Sequence, residues 1–190
     1  MKGRLLITAL AAMLTVTGVA LAHNVNRIVG TPGNDSLVGT PGPDAISGLA
    51  GDDAIVAGAG RDRVWAGPGN DTIEGGDNAD EIRGGVGNDF IRGGDGPDVL
   101  RGRPGDDTIE GGEGRDVIWV GSGADREFGG PGNDRLHALA NDHQTDFLDC
   151  GAGNHDVAFL NASEQDQVVN CEKVVTLQHV TTAQAAEDDK

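Results

Sequence analysis

Two consecutive stretches decide how the chain folds: Gly84-Gly85-Val86-Gly87-Asn88-Asp89-Phe90-Ile91-Arg92 and Gly93-Gly94-Asp95-Gly96-Pro97-Asp98-Val99-Leu100-Arg101. Each has glycines at positions one, two and four, aspartate at six and an aliphatic residue at eight. Working outward in both directions, the same nine-residue frame runs without a gap from Gly30 to His137, giving twelve copies. Position six is aspartate in every copy: Asp35, Asp44, Asp53, Asp62, Asp71, Asp80, Asp89, Asp98, Asp107, Asp116, Asp125 and Asp134. Position four is glycine in all but one, where Asn78 stands, and asparagine is the next best residue for a left-handed backbone. Position eight is Leu, Ile or Val in all but one, where Glu127 stands.

Each half of the frame has a physical reading. Gly-x-x-Gly-x-Asp is a turn, in which glycine permits positive φ and close backbone approach. The x-aliphatic-x half is a strand about three residues long whose middle side chain points inward. Strand, turn, strand and turn make one coil of 18 residues, and successive coils pair in parallel at ~4.8 Å. Twelve repeats therefore predict a rod of six coils, roughly 29 Å long, with a thin double column of Ile, Leu and Val as its core. The expected fold class is all-β, a parallel β-roll.

Composition agrees and excludes alternatives. Glycine supplies 32 of 190 residues, aromatics are 3% and tyrosine is absent, which leaves too few large side chains for a helical bundle or a sandwich core. Glycine does not recur every third residue, so collagen is excluded. The formal net charge of -17 makes nucleic acid a poor partner, because phosphate needs a basic surface.

Stacking residues 18 apart sorts the aspartates into two columns. Asp35, Asp53, Asp71, Asp89, Asp107 and Asp125 form the odd column, and Asp44, Asp62, Asp80, Asp98, Asp116 and Asp134 the even one. Six like charges at one-strand spacing repel, and protonation or a cation must relieve them. A hard divalent cation accepts carboxylate and backbone carbonyl oxygens, and flexible oxygen-only sites suit calcium better than magnesium; zinc would want histidine or thiolate. Two columns with five gaps each place an upper bound of about ten calcium ions. An alternative is that the aspartates only solvate and cap their turns.

The repeat resembles the RTX, or haemolysin-type, calcium-binding nonapeptide, Gly-Gly-x-Gly-x-Asp-x-aliphatic-x, over residues 30–137. The resemblance implies a parallel β-roll with calcium in its turns, where carbonyls of the glycine-rich segment, including Gly75, Gly84, Gly93 and Gly111, complete the coordination. The leading Gly-Gly is incomplete in the first five repeats (Gly30-Thr31, Ala57-Gly58), in Gly102-Arg103 and in Val120-Gly121, and these sites are expected to be weaker. Position one offers only a carbonyl on this reading, so Ala or Val is tolerated. Glu127 disturbs the packing of its repeat, and Phe128 is the residue available to cover it.

Flanking segments place the roll outside the cell. Lys2 and Arg4 precede an uncharged run from Leu5 to Leu21, and Ala20-Leu21-Ala22 fits the small-x-small cleavage rule. Residues 1–22 are expected to be a signal peptide cleaved to leave His23; a retained anchor is the alternative. After cleavage no membrane span is expected, and residues 23–29 lead into the roll. Residues 138–176 are expected to form a C-terminal cap, since an open roll end exposes strand edges. Cys150 and Cys171, an even pair in an exported chain, read as a disulfide closing that cap, worth about 3 kcal/mol. Asp149 to Val157 looks like a degenerate further turn, and Val168-Val169 and Val174-Val175 like covering strands. The segment resembles the tails of secreted actinobacterial RTX-like proteins. Residues 177–190 are expected to be a disordered tail.

No Gly-x-Ser-x-Gly elbow, His-Glu-x-x-His or phosphate loop occurs. His137, His143 and His155-Asp156 suggest a histidine–carboxylate site, against the plainer reading of scattered surface histidines. On the outer face, position nine of the even repeats stacks Ser47, Trp65, Arg83, Arg101, Trp119 and His137, pairing Trp65 with Arg83 and Arg101 with Trp119 by cation–π contact. This column either stabilises an exposed sheet or is a ligand face. Glu74, Arg92 and Glu110 alternate in the other column. The function expected is calcium binding by a secreted, monomeric β-roll whose folding needs the ion, with no catalytic role. The rivals are an adhesive or carbohydrate-binding rod facing a cell-surface or extracellular polymer, and an enzyme carrying a calcium module.

Overall fold

The computed structural model describes residues 25–178; the proposed signal peptide and the residues from 179 onward, with most of the expected tail, lie outside the described residues. Among the described residues every regular element is a strand. In chain order they are β1 (Asn26–Val29), β2 (Ser36–Val38), β3 (Asp44–Ser47), β4 (Ala54–Ala59), β5 (Arg63–Pro68), β6 (Thr72–Asp77), β7 (Glu81–Val86), β8 (Phe90–Asp95) and β9 (Val99–Arg101). They continue as β10 (Thr108–Glu113), β11 (Val117–Trp119), β12 (Arg126–Phe128), β13 (Arg135–Ala138), β14 (Phe147–Asp149), β15 (Val157–Asn161), β16 (Gln167–Val169) and β17 (Lys173–Leu177).

Odd strands form one parallel sheet of nine in the order β1 to β17, and even strands a second of eight, from β2 to β16. The chain thus alternates between two sheets and closes one coil every two strands. Register within the repeats is 18 residues: Ile73 pairs with Ile91 and Ile91 with Ile109 in one sheet, Ile82 with Leu100 in the other. The fold is the parallel β-roll that the nonapeptide frame predicts.

The rungs run beyond the frame at both ends. Asn26 of β1 pairs with Asp44, so the lead-in already supplies a strand. After His137 the coils change length: Arg126 pairs with Phe147, Arg135 with Val157, Phe147 with Gln167 and Val157 with Lys173. The expected cap is therefore made of further coils of the same two sheets, and β17 runs through Leu177. Nine stacked strands at this spacing span about 38 Å.

The core is a column of fully buried Ile55, Ile73, Ile91 and Ile109 facing Ile46, Val64, Ile82, Leu100 and Ile118. The expectation of three-residue strands holds only for part of the roll. Six-residue strands such as β8 carry pairing through positions one to three, and alternation then turns position one inward as well. Ala57, Ala66 and Val120 at that position are buried core residues, so it contributes packing besides a carbonyl. From the third repeat onward position two takes the left-handed backbone, including at Leu49 (φ 85) and Arg103 (φ 84), so the turn keeps its shape there without Gly-Gly; Thr31 and Thr40 in the first two repeats do not take it. Asn78 is left-handed too, at φ 78.

Glu127 keeps its inward place, fully buried between Ile109 and Leu148. Phe128 does not turn in to cover it; it stays outside and packs on Phe147, ring centroids 5.9 Å apart. Cys150 and Cys171 form a disulfide with their Cα atoms 5.1 Å apart, tying the coil of β14 to that of β17.

Candidate metal centre

All twelve repeat aspartates sit where turn meets strand, and all but Asp35 are buried. Their carboxylates do two separate things. From Asp53 and Asp62 onward, Oδ1 of each repeat aspartate accepts the backbone N–H of the aspartate one coil earlier: Asp71 N–H donates to Asp89 (2.9 Å), Asp89 to Asp107 (2.8 Å) and Asp107 to Asp125 (2.7 Å). The even column repeats this from Asp44 to Asp62 (2.8 Å) and on to Asp134. Capping is thus real, but beyond the first coil it links neighbouring coils rather than a residue's own turn.

Oδ2 is the informative atom. In Asp53, Asp62, Asp71, Asp80, Asp89, Asp98, Asp107, Asp116, Asp125 and Asp134 it is buried and accepts no hydrogen bond. Buried polar atoms are nearly always partnered, so ten orphaned oxygens in two columns need an explanation. Position-one carbonyls of the next coil face the same spaces. A methyl group added at Gly75 would lie 2.5 Å from the Gly93 carbonyl and 2.7 Å from Asp80 Oδ2. One added at Gly111 would lie 2.5 Å from the Gly129 carbonyl and 2.6 Å from Asp116 Oδ2. At Gly93 it would meet the Gly111 carbonyl and Asp98 Oδ2, and at Gly84 it would strike Asp89 Oδ2. Glycine there leaves a cradle lined by carboxylate and carbonyl oxygens, the donor set a hard cation takes.

Electrostatics point the same way. Burial raises these carboxyl groups, to about 7 at Asp89, about 8 at Asp98 and Asp125 and about 9 at Asp107, against a smaller opposing pull from the backbone N–H each accepts. Neighbouring carboxylates add to the rise at Asp107, from Asp125 and Asp89. A column that resists ionisation at neutral pH requires protons or a cation to hold it.

The first coil differs. Thr31 N–H donates to Asp35 Oδ2 (2.5 Å) and Thr40 N–H to Asp44 Oδ2 (2.6 Å), with both hydroxyls on the same carboxylates. These threonines, which recur at position two, partner the oxygens that elsewhere are left without a donor.

Several members of the ladder escaped the sequence reading. In the odd column Asp125 N–H donates to Asp146 Oδ1 (2.9 Å) and Asp146 N–H to Asp166 Oδ1 (3.1 Å). Asp146, Glu164 and Asp166 bring carboxylate oxygens within 4.8 Å of one another, and burial raises Asp146 to about 7. The signal was present in Asp146-Phe147-Leu148, Asp156-Val157-Ala158 and Asp166-Gln167-Val168, which keep acid-x-aliphatic while the spacing around them changes. A further ladder uses position five of the odd repeats: Asn70 N–H donates to Asp52, Asn88 N–H to Asn70 and Asp106 N–H to Asn88, at 2.9–3.0 Å.

The outer face of the odd-strand sheet carries the expected cation–π column. Arg83 lies 5.9 Å from the Trp65 ring centre and Arg101 4.4 Å from that of Trp119. It continues through His137, stacked 5.0 Å from Trp119 and 4.5 Å from Phe159. Burial lowers His137 to about 4, so it joins this stack as a neutral ring between Trp119 and Phe159. Arg92 reaches Glu110 at 3.9 Å on the other sheet.

A parallel β-roll whose coils are joined by buried aspartate ladders, with paired carboxylate and carbonyl cradles in its turns, defines a class of repeat protein built around cations. The family described as RTX calcium-binding nonapeptide repeat (four copies) matches residues 29–64, 57–91, 65–100, 92–127, 101–136 and 128–142. Together these cover 29–142, more than half of the chain, and the protein belongs to that family. No curated protein matches it. Calcium binding by the aspartate-rich turns of the roll follows from this membership.

Proposed function

We propose that the protein is an exported β-roll that folds when calcium fills its turns and then serves as a structural or surface-interacting rod. The observation that carries this reading is the set of ten buried Oδ2 atoms without a donor, arranged in two columns beside position-one carbonyls. Each ion would bridge the aspartates of adjacent coils, with Asp53 to Asp134 as the main ligands and the Gly75, Gly84, Gly93 and Gly111 turns supplying carbonyls. Asp35 and Asp44, already held by threonine, contribute least, so the number of ions falls below ten.

Without calcium the repeat block, with 9 Arg against 21 Asp and Glu, carries -12, which opposes collapse. With calcium, binding free energy becomes folding free energy. Extracellular modules bind calcium at about 0.1–1 mM, so the chain stays open during synthesis and closes after the leader at 1–22 has directed it out. Far-ultraviolet circular dichroism of the chain from His23 tests this. A β signal is expected with millimolar calcium and a disordered spectrum in excess chelator at pH 7.5. A β signal that persists in chelator would refute it.

The second reading, a rod that engages an acidic extracellular polymer, is favoured by charge asymmetry. Outward positions of the odd-strand sheet carry Arg27, Arg63, Arg83, Arg101, Arg135 and Lys173 against Glu81 alone, on a chain whose net charge is -17. Binding of hyaluronan but not dextran, lost in Arg63→Glu with Arg135→Glu, would support it; equal binding of both would not.

A further inference from the structure

The even acid column does not stop where the nonapeptides do. Asp134 N–H donates to Asp156 Oδ1 (2.7 Å), and Asp156 N–H donates to Glu172 Oε2 (2.7 Å), adding two rungs from residues that lie beyond the repeat frame. Asp134 and Asp156 are both wholly buried, and Oδ2 of each accepts no hydrogen bond. A methyl group added at Gly129 would lie 2.5 Å from the Cys150 carbonyl oxygen and 2.7 Å from Asp134 Oδ2. That is the arrangement found at Gly111 within the repeats, with Cys150 in the place of a position-one glycine. Cys150 is itself fully buried and is cross-linked to Cys171, the residue before Glu172.

We propose that Asp134 of the last nonapeptide, together with Asp156 and the Cys150 carbonyl from beyond the repeats, forms a further divalent-cation site, and that the Cys150–Cys171 disulfide completes it. The proposal rests on the calcium reading of the roll. The cross-link acts at both sides of the site. On one side it fixes the strand end that presents the Cys150 carbonyl. On the other it holds Glu172 where it accepts the Asp156 N–H and so positions that carboxylate. The neighbouring coils cannot do this by packing alone, since Val174 at the end of the inward column is 48% exposed. The coupling is reciprocal: whatever the disulfide adds to cation affinity, the cation adds to the disulfide's resistance to reduction.

Native mass spectrometry of the chain from His23 in saturating calcium tests the proposal by counting ions. Oxidised protein is expected to carry one ion more than protein reduced with a phosphine. Reduction breaks the Sγ–Sγ bond, and the two sulfurs gain two electrons and two protons while the phosphine, with oxygen from water, becomes its oxide. Cys150→Ser with Cys171→Ser should give the reduced count. Asp156→Asn, which keeps the disulfide, should also give the lower count and show no change on reduction. In each case circular dichroism verifies that the repeat block is folded. Equal counts in oxidised and reduced protein, or a redox-dependent ion retained in Asp156→Asn, would overturn the proposal while leaving the repeat sites standing. Absence of bound calcium in every form would overturn both.

Discussion

The coils from Gly30 to His137 and those from Ala138 to Leu177 share their rungs and differ in their turns. Both place an acid just before a strand and an aliphatic residue in its middle, as in Asp89-Phe90-Ile91 and Asp146-Phe147-Leu148. In the first region every coil has 18 residues and glycine turns; in the second, successive pairs are 21, 22, 20 and 16 residues apart. The comparison teaches that the rung defines the stack. Turn length is free to vary where something else holds the turn, here a disulfide and side chains such as Glu164, which accepts the N–H groups of Asp142 and His143.

The comparison can be broken most forcefully with pH, because many groups act together. Folded-state pKa values of about 9 at Asp107 and about 8 at Asp98, raised chiefly by burial, lie above the ordinary value of 3.8. The folded chain therefore binds more protons, and metal-free stability is greatest below about pH 4 and is lost as pH rises through the folded values. In chelator, acidification from pH 9 toward pH 4 should restore β structure in far-ultraviolet circular dichroism, in the repeats and in the C-terminal coils alike, since Asp146 reaches about 7, as Asp89 does. Calcium affinity should move the opposite way and weaken in acid.

Turns come next. Gly87 has φ 131, and an added Cβ would collide with the Gly69 carbonyl of the coil below. The backbone conformation alone costs about 1–2 kcal/mol for an L side chain, and the collision adds to it. Gly87→Val should abolish the calcium-induced β signal at 25 °C, whereas Gln144→Val, on an exposed turn of the second region, should change stability by less than about 0.5 kcal/mol. Within the core, Ile91→Ala should cost about 2–5 kcal/mol in urea titrations with calcium present. Val174→Ala, at the open end, should cost under about 1 kcal/mol, because much of that side chain already meets water. The smallest effect is expected from Trp65→Ala, which removes a cation–π contact with Arg83 worth about 0.5–1 kcal/mol.

Much of this molecule is legible in the sequence because its period is strict. Asp89 and Ile91 announce a turn end and an inward residue in every repeat, and Asn78 announces a left-handed backbone. Legibility fails where the period or the side chain disappears. Asp146, Asp156 and Asp166 continue both ladders, but insertions in the turns shift them out of the nine-residue frame. Position one points into the core, yet glycine in most repeats carries no hydrophobic signal, and only Ala57, Ala66 and Val120 hint at it. The division of labour within each carboxylate, Oδ1 to the ladder and Oδ2 to the cradle, depends on a coil-to-coil geometry that no spacing rule contains.

The most direct measurement is the number of calcium ions held by the purified chain from His23 at saturation, by equilibrium dialysis and metal analysis. Several ions per chain are expected, fewer than ten within the repeats, and Asp89→Asn should lower the number. A β-roll that forms with no stoichiometric calcium, or an Asp89→Asn variant with an unchanged count, would contradict cation-bridged aspartate columns as the basis of this fold.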